Sequence, residues 1–572
     1  MALVGQQDAP VSEGRPARFG SWEPPWGVAG TGLRLTEANR QQIVARLSHS
    51  SGQVARVRAK NLFVWALATF VLLQVALVWI VPVVPGHDLP QHLAYARLLA
   101  SYPEDPGLRD AYVVAERFDP YCATHYLLAY LARGLGVNAA CRVLYSAYAV
   151  SLTLACVLAC RSVWPKRTPW PSLFGTLLVW NPITWMGFLP FTMALPFVLA
   201  TIAAYVMAIR KRAWRWTLVA CIASTAAATV HVVAGGMALV FILGFALASR
   251  RRRDLKVTAL VASVTLLASA LMRRGSPSIV WSELVSAIRT HGPSEGITGF
   301  FRASFTTPGQ KLGLLLATIF GPFKAPLQIA VALGLGLVMA VAISRGKSST
   351  NDHVQRSYGR AAFLFLVACW LVPTSIQVPD DICLVDLRMF AIAALFGCAA
   401  IPPRPFMAKW ARGTLVLTVM VASLVGGRQL LRVGEESMPP VRLVSHLAPK
   451  DRVLALAMHN RSEHLTPSNA LTHYLPLYHT INGGGRTSSF WGSLLPHLPV
   501  GERHAMAKPP DWSPWRVTSA QIAEATHVLL ERADGEDPED AYQGTRRVLA
   551  DTTLTVVACD GRWCLLATHA QD

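Results

Sequence analysis

The sequence WIVPVVPGHDLPQHLAYARLLASY, residues 79–102, places a carboxylate directly after an apolar run. The run ends in a Pro-Gly turn, and Asp88 follows with His92 one helical turn further on. A carboxylate held beside a membrane surface can act as a general base toward a hydroxyl group, and a nearby histidine can support it. Burial would keep the pKa of such a carboxylate high enough for this role. We therefore take Asp88 as the candidate base and His92 as its support.

Asp88 also suits the start of a helix. Asp is a preferred N-cap residue, because its side chain accepts hydrogen bonds from the first backbone amides. Pro90 stands in the first turn, where proline is tolerated. The two roles are compatible, since a capping carboxylate can also act as a base.

Other charged residues stand in two further clusters. The same loop continues to AERFDP, and a later loop reads PDDICLVDLRMF before another apolar run. The guanidinium of Arg388 could bind the oxygens of a phosphate through two parallel hydrogen bonds. The alternative role for Arg388 is an ion pair with a neighbouring aspartate. The candidates in these two clusters are Glu116, Asp119, Asp380, Asp381, Asp386 and Arg388.

The rest of the chain predicts an all-α polytopic membrane bundle. Of 572 residues, 52% are hydrophobic and 15% charged, against about 25% charged in soluble proteins. Apolar runs long enough to cross a bilayer recur about eleven times. The predicted spans are 61–84, 139–160, 172–187, 190–209, 216–233, 235–249, 257–272, 324–343, 361–375, 387–401 and 413–427. Spans three and four, and five and six, are so close that broken or tilted helices are expected.

The charges predict an orientation. With the N-terminus in the cytoplasm, the Lys/Arg-rich loops all fall on the cytoplasmic side, as positive-inside topology requires. This pattern explains the net charge of +20 without nucleic acid. We expect three parts: a largely disordered cytoplasmic segment (1–60), a transmembrane domain (61–430) with outer segments 85–138 and 273–323, and an extracytoplasmic α/β domain (440–572). In that last domain, Cys559 and Cys564 flank an Asp-Gly turn and suit either a disulfide or a reduced hairpin.

Two more segments bear on the site. The stretch GFLPFTMALP and the nearby Trp185 predict an aromatic belt, with Trp185 and Phe188 at a membrane interface. The stretch NGGGRTSSFW lacks the Lys-Ser/Thr ending of a phosphate loop, so we interpret it as a glycine-rich turn near the active face.

The motif HDLPQH, the large first loop and the C-terminal domain together resemble membrane glycosyltransferases of the GT-C class. The resemblance implies that Asp88 is the base and that Arg388 is the late-loop arginine facing a lipid phosphate. It also implies a second acidic position, which Glu116, Asp119 or the pair Asp380-Asp381 would fill. Many members have adjacent acidic residues where this chain has His87, so a divalent cation remains an open possibility.

The resemblance implies an inverting glycosyltransferase in a bacterial inner membrane. Its donor would be a polyprenyl-phosphate-linked sugar, and its acceptor a glycan, lipid or protein on the periplasmic side. The alternatives are a transporter or flippase and a non-catalytic assembly or sensor protein. A carrier favours ionisable residues at mid-membrane and repeated halves, and the sequence shows little of either.

Overall fold

The computed structural model is mostly helical, with a small C-terminal sheet. It describes residues 37–114, 122–272, 302–304, 307–312, 353–373, 375–378, 380–382, 385–403, 408–459, 474–490, 500–503, 514–534, 539–551 and 553–569, with the single residues 406, 462 and 464. The chain divides between Ala59 and Lys60 into two units, and every site residue discussed below belongs to the second.

The helices of the bundle follow one another with short connections. In the first half they are α1 Glu37–Ile80, α2 Leu89–Ser101, α3 Pro106–Ala111, α4 Ala123–Leu135, α5 Val137–Val163, α6 Phe174–Leu177, α7 Pro182–Trp185, α8 Leu189–Lys211, α9 Trp214–Val230, α10 Val232–Ser249 and α11 Arg252–Met272. They continue as α12 His353–Leu371, α13 Val385–Ala400, α14 Lys409–Glu436 and α15 Met438–Val444. Residues 37–60 are thus helical, although the sequence assigned them to a largely disordered segment.

Six helices in the described part of the chain are long and apolar enough to cross a membrane. They are Ala59–Ile80, Val137–Val163, Leu189–Lys211, Val232–Ser249, Arg252–Met272 and Lys409–Val444. Helix α9, with 17 residues, and the apolar segment Leu387–Ala400 are shorter. The predicted span 324–343 lies outside the described residues, so the count of eleven stays a prediction. The protein is membrane-embedded.

The third predicted span is not one helix. Residues 170–185 form a chain of short helical pieces, and the break falls at Asn181-Pro182. Asn181 adopts an extended backbone and its side chain accepts hydrogen bonds from the amides of Ile183 and Thr184, which starts a new helix there. The predicted span 172–187 is thus interrupted, as the sequence led us to expect for spans three and four, because an amide cap and a proline together restart the helix. This interruption brings residues 185–187 to the connection between α1 and α2, at the start of α2.

Arg142 fixes the end of the first span. The last carbonyls of a helix have no partner within the helix. The Arg142 guanidinium, on α5, donates to the carbonyls of Val78, Trp79, Val81 and Pro82 at 2.7–2.9 Å. The segment that leads from α1 to Asp88 is therefore tied to the bundle from its start.

The C-terminal region builds a mixed sheet. Its strands are β5 Arg452–Ala457, β6 Arg486–Thr487, β8 His527–Glu531, β9 Leu554–Asp560 and β10 Trp563–Thr568, in the order β6-β5-β8-β10-β9. β5 runs parallel to β6 and β8, and β10 pairs antiparallel with β8 and β9. Helices α16 Tyr478–Ile481, α17 Ser519–Glu524 and α18 Glu539–Leu549 accompany it. The runs that the sequence marked as strands thus form one sheet.

Two cysteines close the hairpin of β9 and β10. Cys559 and Cys564 face each other in the register and form a disulfide in the structure. The alternative of a reduced hairpin is not the one that the structure adopts.

Small antiparallel pairs tie the loops together. β1 Tyr112–Val114 from the first loop pairs with β7 Val500–Glu502 from the C-terminal region. β2 Arg302–Ser304, β3 Ser375–Val378 and β4 Asp380–Ile382 form a second sheet. The first pair joins the first loop to the C-terminal domain.

Candidate functional site

Asp88 begins α2 but does not cap it. Its backbone is in the right-handed helical region, with φ −88° and ψ −7°, and its side chain makes no capping hydrogen bond. A capping side chain normally needs an extended backbone at this residue to reach the amides of the first turn. The interpretation of Asp88 as a side-chain cap is therefore wrong. The residue is nonetheless only 4% exposed, which calls for another explanation.

The turn formed by residues 185–187 holds the backbone of Asp88. The His87 amide donates to the Trp185 carbonyl and the Asp88 amide to the Met186 carbonyl, both at 3.0 Å. Gly187 has φ +75°, and a Cβ there would lie 2.5 Å from the Leu89 nitrogen. Only glycine combines this backbone with so close an approach. The two chain segments are thus fixed against each other at the residue that carries the carboxylate.

Burial dominates the electrostatics of Asp88. It raises the pKa of the carboxyl well above its usual value, and the positive charge of Arg388 lowers that pKa by a smaller amount. His87 Nε2 lies 3.5 Å from Oδ1 of Asp88. A carboxylate whose pKa is raised by burial binds a proton more readily, as a general base must.

Arg388 lies on α13 and packs on aromatic rings. Its guanidinium carbon is 4.4 Å from the ring centroid of Phe188 and 5.7 Å from that of Phe191. Such cation–π contacts hold a guanidinium by its face. Arg388 thus lies within the electrostatic environment of Asp88, with its guanidinium on the ring of Phe188.

The aromatic-belt interpretation of Trp185 was wrong. Trp185 is 3% exposed, its indole Nε1 donates to the Trp180 carbonyl at 3.1 Å, and its ring lies 6.2 Å from that of Trp180. A belt residue would keep one side in the membrane interface. Trp185 instead packs inside the bundle, and its carbonyl accepts a hydrogen bond from the His87 amide.

His92 has a histidine partner that the sequence did not reveal. Its Nδ1 lies 2.7 Å from Nε2 of His125 on α4, and both rings are almost completely buried. Burial lowers the pKa of His92 well below its usual value, with His125 adding to the effect and a hydrogen bond to the Gly187 backbone opposing it. Burial also lowers the pKa of His125 to about 3. The only sequence signal was a histidine inside an apolar helical stretch.

The C-terminal domain covers the first-loop helix. The Tyr474 ring meets the His87 ring edge-on at 5.0 Å, and Gln91 donates to the Ser489 carbonyl. Phe490 packs between Tyr95 and Tyr112, at 5.0 and 5.5 Å. The domain therefore supplies part of the surroundings of Asp88.

The glycine-rich stretch has a local structural role. His479 Nε2 accepts from the Gly485 amide at 3.0 Å, and a Cβ on Gly484 would lie 2.2 Å from the His479 ring. Burial lowers the pKa of His479, and hydrogen bonds to the backbones of Asp451 and Val444 oppose that shift. The turn thus wraps around a histidine and positions the segment from Arg486 to Phe490 against α2.

The structure describes the remaining acidic candidates only in part. Asp380 and Asp381 lie on β4 and Asp386 lies on α13, and the structure describes their backbones but not their side chains. Glu116 and Asp119 lie outside the described residues. Among the side chains that are described, no group of three or more His, Cys, Asp or Glu residues can hold a metal ion. We therefore derive no step through a divalent cation.

The comparisons with known proteins bear on the fold alone. No family model matches the sequence, and no curated protein does. Among solved structures, the crystal structure of ArnT from Cupriavidus metallidurans in the apo state matches 90% of this chain and 99% of its own, with a TM-score of 0.54 and 12% sequence identity. The two chains therefore share a fold. The resemblance stated from the sequence is thus supported at the level of fold.

Proposed function

We propose that this protein is an inverting membrane glycosyltransferase that moves a sugar from a polyprenyl-phosphate donor to a hydroxyl of an acceptor. The observation that carries the proposal is the buried Asp88 carboxyl, which caps no helix and has Arg388 as its charged neighbour. The fold shared with ArnT, a GT-C glycosyltransferase, supports the same reaction class.

The reaction assigns one role to each side chain. Asp88 takes the proton of the acceptor hydroxyl as its oxygen bonds to the anomeric carbon from one face. The bond from that carbon to the phosphate oxygen breaks on the opposite face, and the electron pair leaves with the polyprenyl phosphate. Arg388 stabilises the negative charge on that phosphate. Inversion at the anomeric carbon follows from attack opposite the leaving group.

We place the reaction on the periplasmic side of a bacterial inner membrane. The positive-inside pattern supports this orientation, because it puts the first loop and the C-terminal domain outside the cytoplasm. The disulfide between Cys559 and Cys564 is consistent with an oxidising compartment. The acceptor would be a glycan, a lipid or a protein on that side of the membrane.

The test uses purified protein in lipid nanodiscs with polyprenyl-phosphate carrying labelled pentoses or hexoses. Wild type is compared with Asp88→Asn, which removes the base and keeps the shape of the side chain. The matched control is Asp105→Asn in the same loop, since Asp105 is exposed and caps α3. We expect Asp88→Asn to bind the donor without turnover and Asp105→Asn to match wild type. Equal turnover by Asp88→Asn and wild type would refute the role of Asp88. Donor bound by wild type but never transferred would instead favour a transporter.

A further inference from the structure

Two helix connections at one end of the bundle carry a strongly basic surface. Helix α8 passes to α9 through residues 212–213, and α10 passes to α11 through residues 250–251. Tyr205 on α8 and Thr258 on α11 hold their helices together close to these connections, with their hydroxyl oxygens 2.8 Å apart. We call the exposed basic side chains here the basic surface: Lys211, Arg212 and Arg215 at the first connection, and residues 250–253 with Lys256 at the second.

No acidic side chain in the described part of the chain neutralises the basic surface. None of its residues forms an ion pair there. Lys211 instead has its Nζ 5.5 Å from the ring centroid of Trp216. The aspartate that follows the run of arginines, Asp254, is only 2% exposed. The positive charges therefore face outward with no counter-charge from the described residues.

The basic surface lies at the end of the bundle opposite Asp88. Gly187, which contacts the backbone of Asp88, stands two residues before α8, and Lys211 is the last residue of that helix. The 23 residues of α8 rise about 1.5 Å each, so its two ends are about 35 Å apart. Because α8, α10 and α11 are each long and apolar enough to cross a membrane, the basic surface lies at a boundary between lipid and water.

Helices α9 and α11 present apolar side chains to lipid beside the basic surface. On α9, Trp214, Leu218 and Ile222 follow one another at four-residue spacing on one face, with exposed fractions of 77%, 48% and 61%. On α11, Leu260 and Leu267 are 52% and 61% exposed. A tryptophan at the end of such an apolar face is typical of the membrane interface. The lipids that touch these faces therefore have their headgroups next to the basic surface.

The same two helices lie side by side. Ser224 Oγ is 2.5 Å from Thr265 Oγ1, and Thr229 Oγ1 donates to Met272 Sδ at 3.5 Å. Residue numbers increase on both helices from the first pair to the second, so α9 and α11 run in the same direction. Arg215 in the first turn of α9 and the arginines at the start of α11 are therefore on adjacent helices at one membrane surface.

Arg212 and Arg250 occupy positions at which glycine is favoured. Each follows the last residue of its helix in the left-handed conformation, with φ values of 54° and 55°. In the described part of the chain they are the only residues other than glycine with a positive φ. A Cβ is unfavourable in this conformation, which is why helices commonly end on glycine there. Positive-inside topology requires basic residues in a loop, but any position in the loop would satisfy it. The chain thus keeps a guanidinium at each connection in spite of the strain.

We propose that the basic surface binds the phosphate groups of anionic phospholipids in the membrane leaflet that adjoins it. A guanidinium fork matches phosphate oxygens, and Lys and Arg side chains beside a membrane attract anionic headgroups. The apolar faces of α9 and α11 favour a lipid over a soluble partner, because they contact acyl chains where the basic surface contacts headgroups. This inference goes beyond the proposed function, since it holds whether or not the protein transfers a sugar.

The test uses the full-length protein in phosphatidylcholine bilayers with a trace of spin-labelled phosphatidylglycerol or phosphatidylcholine. The fraction of label that the protein immobilises gives its preference for the anionic lipid over the neutral one. The test variant is Arg212→Gly/Arg250→Gly, which removes two charges and gives each connection its favoured residue. The matched control is Lys450→Gln/Arg452→Gln, which removes two exposed charges from the C-terminal domain.

We expect wild type to prefer phosphatidylglycerol and the test variant to lower that preference by at least about fivefold, since each basic residue beside an anionic headgroup contributes about that factor. The control should keep the preference within about twofold, and added NaCl should weaken it in wild type. The test variant should unfold at the temperature of wild type or higher, because glycine relieves the strain at both connections. Unfolding of this variant at a lower temperature would contradict the argument from strain.

A second variant, Arg252→Gln/Arg253→Gln, removes two charges without altering either connection and should lower the preference by a similar factor. The proposal is overturned if wild type shows no preference for phosphatidylglycerol, if both charge-removing variants keep the wild-type preference, or if the control loses it equally. Inorganic phosphate, added at an ionic strength matched with NaCl, separates a lipid headgroup from a free phosphate. If phosphate displaces spin-labelled phosphatidylglycerol more than chloride does, the surface binds free phosphate and the assignment to lipid is refuted.

Discussion

The substitution Gly187→Ala tests the close contact that fixes Asp88. Ordinary van der Waals contact begins at 3.4 Å, whereas the new Cβ would lie 2.5 Å from the Leu89 nitrogen, so the two backbones must separate by about 0.9 Å. A displacement of about 1 Å near the chemistry costs roughly 100-fold in rate. The positive φ of Gly187 adds about 1–3 kcal/mol of strain for a residue with a Cβ.

Two other glycines turn this into a graded series. At Gly86 a Cβ would lie 2.9 Å from Leu89 Cβ, which requires a shift of about 0.5 Å and predicts a loss of about tenfold. At Gly236, inside α10, a Cβ would meet nothing within 4 Å, so Gly236→Ala is the control. The expected order of activity is therefore wild type and Gly236→Ala, then Gly86→Ala, then Gly187→Ala.

The assay is transfer from the labelled donor in nanodiscs, with thermal unfolding measured on the same samples. Unfolding shows whether each variant is folded at the assay temperature, so that a loss of rate reports displacement of Asp88. A folded Gly187→Ala with the activity of Gly236→Ala would refute the claim that this contact positions the base.

Three further predictions concern stability. Burial raises the pKa of Asp88, so the folded chain keeps a proton that the unfolded chain has released. Wild-type stability therefore falls as the pH rises from 3.8 through the raised pKa. Thermal unfolding at several pH values should show that the stability advantage of Asp88→Asn over wild type grows across that window. Arg142→Met removes four hydrogen bonds to carbonyls at the end of α1 and should lower the free energy of unfolding by about 3 kcal/mol, measured by denaturation in detergent. Phe490→Ala empties the space between Tyr95 and Tyr112 and should cost roughly 3–5 kcal/mol, with faster proteolysis of the C-terminal domain as a second readout.

The sequence could predict the parts of the site that depend on composition and order. Apolar runs and basic loops indicated a membrane bundle, and the position of Asp88 after a Pro-Gly turn marked it as a candidate. The prediction that Arg388 belongs to the same site depended on a family resemblance. In the structure the two residues interact electrostatically, and no local pattern in the sequence joins positions three hundred residues apart.

What the sequence could not provide is the backbone conformation. Aspartate is a residue type that often caps helices, yet the dihedral angles of Asp88 keep its carboxylate from bonding the amides of α2. The segment before Gly187 has the hydropathy of a span, yet Asn181 and Pro182 restart the helix inside it. Hydropathy indicates that a segment is buried, but it does not distinguish one long helix from several short ones.

The pair of histidines was hidden for a different reason. His92 stands next to Asp88 and attracted notice, whereas His125 lies in another helix of the same loop. Neither spacing nor composition predicts a contact between side chains on two packed helices. The short distance between Nδ1 and Nε2 had to come from the fold.

One short turn holds both charged groups of the proposed site. Gly187 contacts the backbone of Asp88, and the next residue, Phe188, carries the guanidinium of Arg388 on its ring. Burial affects the pKa of Asp88 more strongly than the charge of Arg388 does. The pKa of the carboxyl therefore stays raised although a cation lies near it. A base and a cation that serve opposite faces of one sugar must stay at a constant separation. Asp88 and Arg388 contact two adjacent residues of one turn, Gly187 and Phe188, and this common support is what the proposed reaction would need.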